Sequence, residues 1–152
     1  MDTKKKEGRY QRIFKQLEDL CSKEGTPLSR MASIAAVLHH KMEYFFWTGF
    51  YIYENNRLSA GPYQGPVACQ ELKKGEGVCW ASILRDAAII VPDVDQFPGH
   101  IACDSRSKSE IAIPVKDKNG ICRAVMDVDS SLLNQFDHID ETNLKNIVNL
   151  IY

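Results

Sequence analysis

Asn119-Gly120 lies between two strand-like runs, Ser109 to Lys116 and Ile121 to Asp129. Asn-Gly is the strongest short hairpin signal, because both central positions of a type I′ turn require positive φ. It predicts an antiparallel hairpin whose first cross-strand pair is Lys118 with Ile121. Carried inward, that register opposes Glu110 to Asp129 and Ala112 to Asp127, and directly opposed residues project from the same side of a sheet. A four-residue loop would oppose Glu110 to Asp127 instead and leave the faces unchanged, because side chains alternate with a period of two. Three carboxylates therefore share one face, Asp127 and Asp129 being about 6.5–7 Å apart along their strand. Ile111, Ile113, Met126 and Val128 take the other face, which is expected to be core.

The remaining chain supplies the layers that such a hairpin needs. Tyr10, Ile13, Phe14, Leu17, Leu20 and Cys21 recur at helical spacing and predict a helix from near Lys5 to about Lys23, ended by Gly25-Thr26-Pro27. A second helix is expected from Pro27 to about Met42, with Met31, Ile34, Ala35 and Leu38 on one face. The aromatic and β-branched run Phe46 to Tyr53 then predicts a strand, and Asn55-Asn56 a turn into another at Arg57 to Ala60. Short strands near Ala68 to Leu72 and Ala88 to Val91 flank a one- to two-turn helix from Val78 to Arg85. Asp137 is a candidate N-cap for a last helix carrying Leu144, Ile147, Val148 and Ile151 on one face. Pro92 to Lys108 shows no period, and a connection that long inside a compact domain is usually functional or disordered.

Two helices, several hairpin-linked strands and a final helix predict an α+β fold rather than a doubly wound parallel sheet. At 152 residues with 44% hydrophobic content, one domain spanning 1–152 is expected. Nineteen basic and twenty acidic side chains give a net charge of -1, with no basic stripe of the kind nucleic acid or anionic lipid selects. The charged N-terminus lacks an apolar signal core and no segment has the roughly 20 apolar residues of a membrane span, so a cytoplasmic location is expected.

The shared acidic face admits a plain interpretation, the solvated side of an edge hairpin. Ala112 leaves room beside the acids, however, and Val125 on the same face argues against full solvation. Carboxylates buried together raise one another's pKa, so one can hold a proton near neutrality and act as a general acid, or the set can bind an ammonium group.

Five cysteines are an odd count in a chain without an export signal, which disfavours a disulfide-stapled secreted scaffold. Cys21 falls on a helix face and Cys122 within a strand, and both are expected to pack. Cys69, Cys79 and Cys103 stand in or beside turns. No Cys-x-x-Cys pair exists and only His100 lies close in sequence to Cys103, so no metal site is expected. A thiol hydrolase would use His100 beside the nucleophile. Redox chemistry employs the whole set: one thiolate attacks, a second thiol resolves the sulfenic acid, and an external dithiol reduces the disulfide. Cys79, near a predicted helix N-terminus, is expected to have a lowered pKa.

Trp47-Thr48-Gly49-Phe50-Tyr51, Gly61-Pro62-Tyr63-Gln64-Gly65, Gly75-Glu76-Gly77-Val78-Cys79, Phe97-Pro98-Gly99-His100-Ile101-Ala102-Cys103-Asp104, Ser109-Glu110-Ile111 and Asp127-Val128-Asp129-Ser130 together resemble the free methionine-R-sulfoxide reductases. The resemblance spans nearly the whole chain. It implies a GAF-like fold: a central antiparallel sheet of about six strands, N- and C-terminal helices on one face and the ligand pocket on the other. It also implies reduction of free methionine-R-sulfoxide, with Cys103 as nucleophile, Cys69 as its disulfide partner and Cys79 in thiol recycling; which of the two resolves first stays open. Glu110, Asp127 and Asp129 would hold the sulfoxide oxygen and the amine, Glu110 with Asp129 polarising the oxygen and Asp127 taking the ammonium. Trp47 would pack the S-methyl end, while Tyr51 is expected to be core. No bound cofactor is implied, only a thioredoxin-type dithiol donor, and the protein would be a monomer or homodimer. A GAF-type binding module that senses a ligand or redox state without turnover is the rival class. Trp80 departs from the small residue usual after the cysteine at 79 and would narrow the pocket rim or the path of the resolving loop; Cys122 replaces an aliphatic residue and is given no role.

Overall fold

The computed structural model describes residues 1–100 and 103–152; Ile101 and Ala102 of the Phe97 to Asp104 motif lie outside the described residues. Its helices are α1 (Thr3–Cys21), α2 (Pro27–Lys41), α3 (Gly77–Arg85) and α4 (His138–Val148), and its strands are β1 (Trp47–Glu54), β2 (Arg57–Gln64), β3 (Glu71–Leu72), β4 (Ile89–Val91), β5 (Ser109–Lys116) and β6 (Cys122–Ser130). The six strands form one sheet in the order β3-β2-β1-β6-β5-β4, every neighbouring pair antiparallel. None of the described helices is long and apolar enough to cross a membrane.

Local chemistry starts and stops these elements. Asp2 caps α1 by accepting from the Lys5 N–H, Thr26 caps α2 with Pro27 in its first turn, and Asp137 caps α4 in a reciprocal box with Asp140, each satisfying N–H groups that have no partner inside the helix. Asn55 and Asn56 both adopt positive φ and join Glu54 to Arg57, the geometry of a type I′ hairpin.

The β5–β6 hairpin closes differently from the sequence-based expectation. Only Gly120 of the Asn119-Gly120 pair has positive φ. The turn runs from Asp117, whose carbonyl accepts from the Gly120 N–H, and the first ladder pair is Lys116 with Cys122 rather than Lys118 with Ile121. A one-residue offset of this kind would turn every later side chain to the wrong face. A bulge between Val115 and Lys116 absorbs it, leaving Arg123 as the extra residue. Beyond the bulge Glu110 opposes Asp129 and Ala112 opposes Asp127, as predicted.

The sheet separates two apolar clusters. On one face α1, α2 and α4 pack Tyr10, Ile34, Leu38, Leu144 and Ile147 against Phe50, Ile111, Ile113, Met126 and Val128. On the other, Trp47, Tyr51, Ala112 and Val125 meet Val78, Cys79 and Trp80 of α3. The acids lie on this second face, beneath α3 and the connection that carries Cys103.

Candidate active site

β1 and β6 set the floor. Their register opposes Trp47 to Asp129 and Gly49 to Asp127, so the indole and both aspartates stand on one side of the sheet. Gly49 is required there: a Cβ would lie 2.3 Å from Tyr63 Cβ and 2.8 Å from the far edge of the Trp47 ring. The indole is held between Tyr51 and Tyr63, with ring centroids 5.7 and 5.2 Å away and planes within 20° of parallel. Its Nε1–H donates to the Pro66 carbonyl at 3.0 Å, which leaves an apolar wall with its polar atom already satisfied.

The pocket over this floor is lined by Trp47, Cys79, Cys103, Glu110, Asp127 and Asp129, with Tyr51, His100 and Asp104 at its sides. Cys69 lies one residue beyond the wall segment Pro66–Ala68 and is disulfide-bonded to Cys103, with a Cα–Cα distance of 5.6 Å. All seven residues singled out from the sequence are thus brought to one site. Cys103 is exposed, Cys69 is half-buried, and Cys79 is a buried free thiol. Cys21 and Cys122 stay outside the site; Cys122 Sγ faces the Ala124 carbonyl at 3.4 Å. Trp80 does not touch the pocket. It is fully buried behind it, edge-on to Tyr53 and donating to the Leu72 carbonyl.

Burial dominates the electrostatics. Glu110 and Asp127 are each 5% exposed, and desolvation followed by the charges of Asp127 and Asp129 pushes the Glu110 carboxyl well above its usual range. Desolvation and then Asp127 and Asp104 push Asp129 up in the same way. Asp127 is also raised by burial, but Glu110, Cys79 and His100 beside it act in the opposite direction, so it is the best placed of the three to carry the negative charge. Its Oδ1 is buried with no hydrogen-bond partner among the described residues. The Cys79 thiol is pushed up, by burial first and the three acids next. This corrects the sequence-based expectation of a lowered value: α3 begins at Gly77, but its first turn faces buried carboxylates rather than solvent.

Several members of the site were not singled out from the sequence. Tyr51, expected as core, is buried and also lines the pocket; its even spacing of four residues from Trp47 on one strand, which puts both on the same face, was the available signal. Asp104 holds Arg106 through two side-chain bonds of 3.0 and 2.7 Å, and that pairing draws its carboxyl down to about 2. The Arg106 guanidinium lies 5.0 Å from the centre of the Phe46 ring at the pocket edge. Cys79, Glu110 and Asp127 each offer one atom within 4.8 Å of the others, a set with the donor types of a metal site that come from three separate elements.

No protein-family model matches the chain. The chain is 44% identical over 147 residues to GAF domain-containing protein A of Dictyostelium discoideum, covering 96% of this chain and 92% of that protein. It is 36% identical over 139 residues to the free methionine-R-sulfoxide reductase of Escherichia coli strain K12, covering 91% and 84% respectively. The structure of free methionine-R-sulfoxide reductase from Neisseria meningitidis in complex with its substrate superposes with a TM-score of 0.88 at 36% identity, covering 93% of this chain and 85% of that one. With fold and sequence agreeing over almost its full length, the chain belongs to the free methionine-R-sulfoxide reductase family.

Proposed function

We propose that this chain, as one catalytic domain over residues 1–152, reduces the R epimer of free methionine sulfoxide to methionine, with Cys103 as the attacking thiol. The observation that carries the assignment is the Cys69–Cys103 disulfide at the mouth of a pocket floored by three carboxylates. A thiol pair alone would fit many redox proteins, and buried acids alone would fit an amine-binding module. Together they provide the electrons and the proton that removal of a sulfoxide oxygen requires.

In the reduced enzyme the Cys103 thiolate attacks the sulfoxide sulfur while Glu110, paired with Asp129, donates a proton to the oxygen. The sulfur–oxygen bond of the substrate and the sulfur–sulfur bond formed in the attack both break as the oxygen passes to the Cys103 sulfur, so methionine leaves with its sulfur reduced by two electrons and Cys103 is left as the sulfenic acid. The Cys69 thiol displaces hydroxide from that sulfur, forming the disulfide and water. An external dithiol donor of the thioredoxin type then reduces the disulfide by exchange, so the chain itself carries no redox cofactor. Cys79, kept protonated by burial, is assigned to later thiol exchange rather than the first resolving step. Asp127, with its unpartnered oxygen, takes the substrate ammonium, and the Trp47 face packs the S-methyl group. A dithiol donor of this type, and a disulfide that forms only transiently, fit the reducing cytoplasm.

Reduced protein mixed with each epimer of free methionine sulfoxide, and with the same residue inside a peptide, tests the assignment. The expected outcome is methionine release from the free R epimer with loss of two thiols per chain, abolished in Cys103→Ser. Methionine release at the normal rate from the variant, or binding of the sulfoxide without thiol loss, would overturn it in favour of a sensing module.

A further inference from the structure

Cys79 on α3, Glu110 on β5 and Asp127 on β6 converge on one point of the pocket. The sulfur and two carboxylate oxygens lie within 4.8 Å of one another, and all three side chains are more than nine-tenths buried. Asp127 Oδ1 makes no hydrogen bond within the described structure, and His100 Nδ1 stands 4.0 Å from Glu110 Oε1 as a neighbouring nitrogen donor. We infer that this cluster binds a thiophilic divalent cation of the zinc class, and that the bound ion keeps the substrate's ammonium group out. The exclusion rests on the function proposed above; the binding does not.

The donor set selects the ion. Magnesium and calcium require about six or more oxygen ligands and do not favour sulfur, whereas one thiolate with carboxylate and imidazole donors suits zinc or cadmium. Zinc–sulfur and zinc–oxygen bonds of about 2.3 and 2.0 Å put tetrahedral ligand atoms roughly 3.5 Å apart, so modest side-chain rotations close the site. An ion of charge +2 also supplies the countercharge that two adjacent buried carboxylates lack. On binding, the Cys79 S–H and Glu110 O–H bonds break, metal–sulfur and metal–oxygen bonds form, and both protons pass to solvent; no electron moves. Because Cys79 is outside the Cys69–Cys103 disulfide, the site persists in the oxidised protein, where it can be examined without the two catalytic thiols.

The test uses the oxidised full chain titrated with cadmium chloride, followed by sulfur-to-cadmium charge-transfer absorption. One equivalent per chain is expected, lost in Cys79→Ser, weakened at least tenfold in Asp127→Asn, and intact in the Cys21→Ser/Cys122→Ser double variant. Asp127→Asn keeps the thiol, so it decides the matter even if Cys79→Ser does not fold. Absence of the band in the parent chain, its survival in Cys79→Ser or its loss in the double variant would overturn the site. In a second arm, pre-reduced enzyme freed of reductant is given zinc chloride in single turnover. The half-saturating sulfoxide concentration should rise without change in the limiting rate, and a chelator should reverse it; a fall in the limiting rate alone would overturn the exclusion. If the chain releases no methionine at all, the proposed function fails while the cadmium titration still decides the site.

Discussion

Glu110 and Asp129 are direct cross-strand partners on β5 and β6, one alternation of the sheet away from the Ala112–Asp127 pair. The two carboxyls, Glu110 buried and Asp129 half-buried, therefore share a floor on which both cannot readily ionise, and Glu110 is held protonated well above the ordinary glutamate range. As pH rises through that raised value the proton is lost, and donation to the sulfoxide oxygen is lost with it. Single-turnover methionine release should accordingly decline on the alkaline side. Glu110→Gln should slow it by about 10²–10⁴-fold, the usual contribution of a general acid, and flatten the alkaline limb. A variant with the full alkaline limb would move the proton donor elsewhere.

The same proton links the site to stability. A carboxyl whose folded-state pKa is raised binds more protons folded than unfolded, so its contribution is fully present below the unfolded pKa and is lost as pH rises towards the folded one. Glu110 and Asp129 are both raised in this sense. Glu110→Gln removes one ionisable member, and its denaturation midpoint should exceed that of the parent chain by a margin that widens from acid to neutral pH. An unchanging margin across that range would mean that Glu110 is not held protonated in the folded protein.

How far the sequence foretold the site depends on the kind of contact. The pairing of Glu110 with Asp129 followed from strand alternation, although the turn that produces it is centred differently and a bulge at Arg123 restores the register. Local turn chemistry constrains a hairpin loosely; the need to bury Ile111, Ile113, Met126 and Val128 constrains its faces tightly. Contacts between elements were less legible. Cys79 was expected to be an activated thiol at a helix start, and only the packing of α3 over the acids makes it a suppressed one. Trp80 was expected to narrow the pocket rim or the path of the resolving loop, but helical geometry turns it inward to Leu72 and Tyr53. Neither outcome is encoded at short range.

Cys69→Ser separates attack from resolution. Cys69 is bonded to Cys103 but lies outside the pocket lining, so its removal should leave the first methionine release within about twofold of normal while a sulfenic acid accumulates on Cys103. Trapping with a dimedone-type reagent should label one site per chain, and turnover with a dithiol protein should fall severely. A first turnover slowed as much as steady state would give Cys69 a part in the attack itself.

Gly49→Ala should damage binding and stability together. The added methyl would lie 2.3 Å from Tyr63 Cβ and 2.8 Å from the Trp47 ring, and both contacts lie within the β1–β2 ladder and the aromatic stack. Overpacking of this kind costs about 1–3 kcal/mol, or roughly 2–12 °C in midpoint for a chain of this size, measurable by thermal denaturation. Trp47 must also move, so the half-saturating substrate concentration should rise. A stable variant with altered binding would show that the strand yields and only the indole is displaced.

On the opposite face of the sheet, Lys6 offers a stability test that leaves the chemistry alone. The residue is 4% exposed, and its ammonium pairs with Asp140, which is fully buried, and with Asp137 at 3.1 Å. Asp140 also accepts from the hydroxyls of Tyr10 and Tyr44 at 2.6 and 2.5 Å and from the Asp137 N–H at 2.9 Å, so one carboxylate ties α1, the segment before β1 and the start of α4. Lys6→Met fills the same volume but leaves the Asp140 charge without its cation. Breaking a buried pair on one side costs about 3–5 kcal/mol, and equilibrium denaturation should register most of it. The three-helix layer is separated from the pocket by the sheet, so methionine release per folded molecule should stay within about twofold of the parent value. A stability loss below about 1 kcal/mol would mean that the two tyrosines and the helix N-terminus already compensate Asp140, as surface-like pairs do.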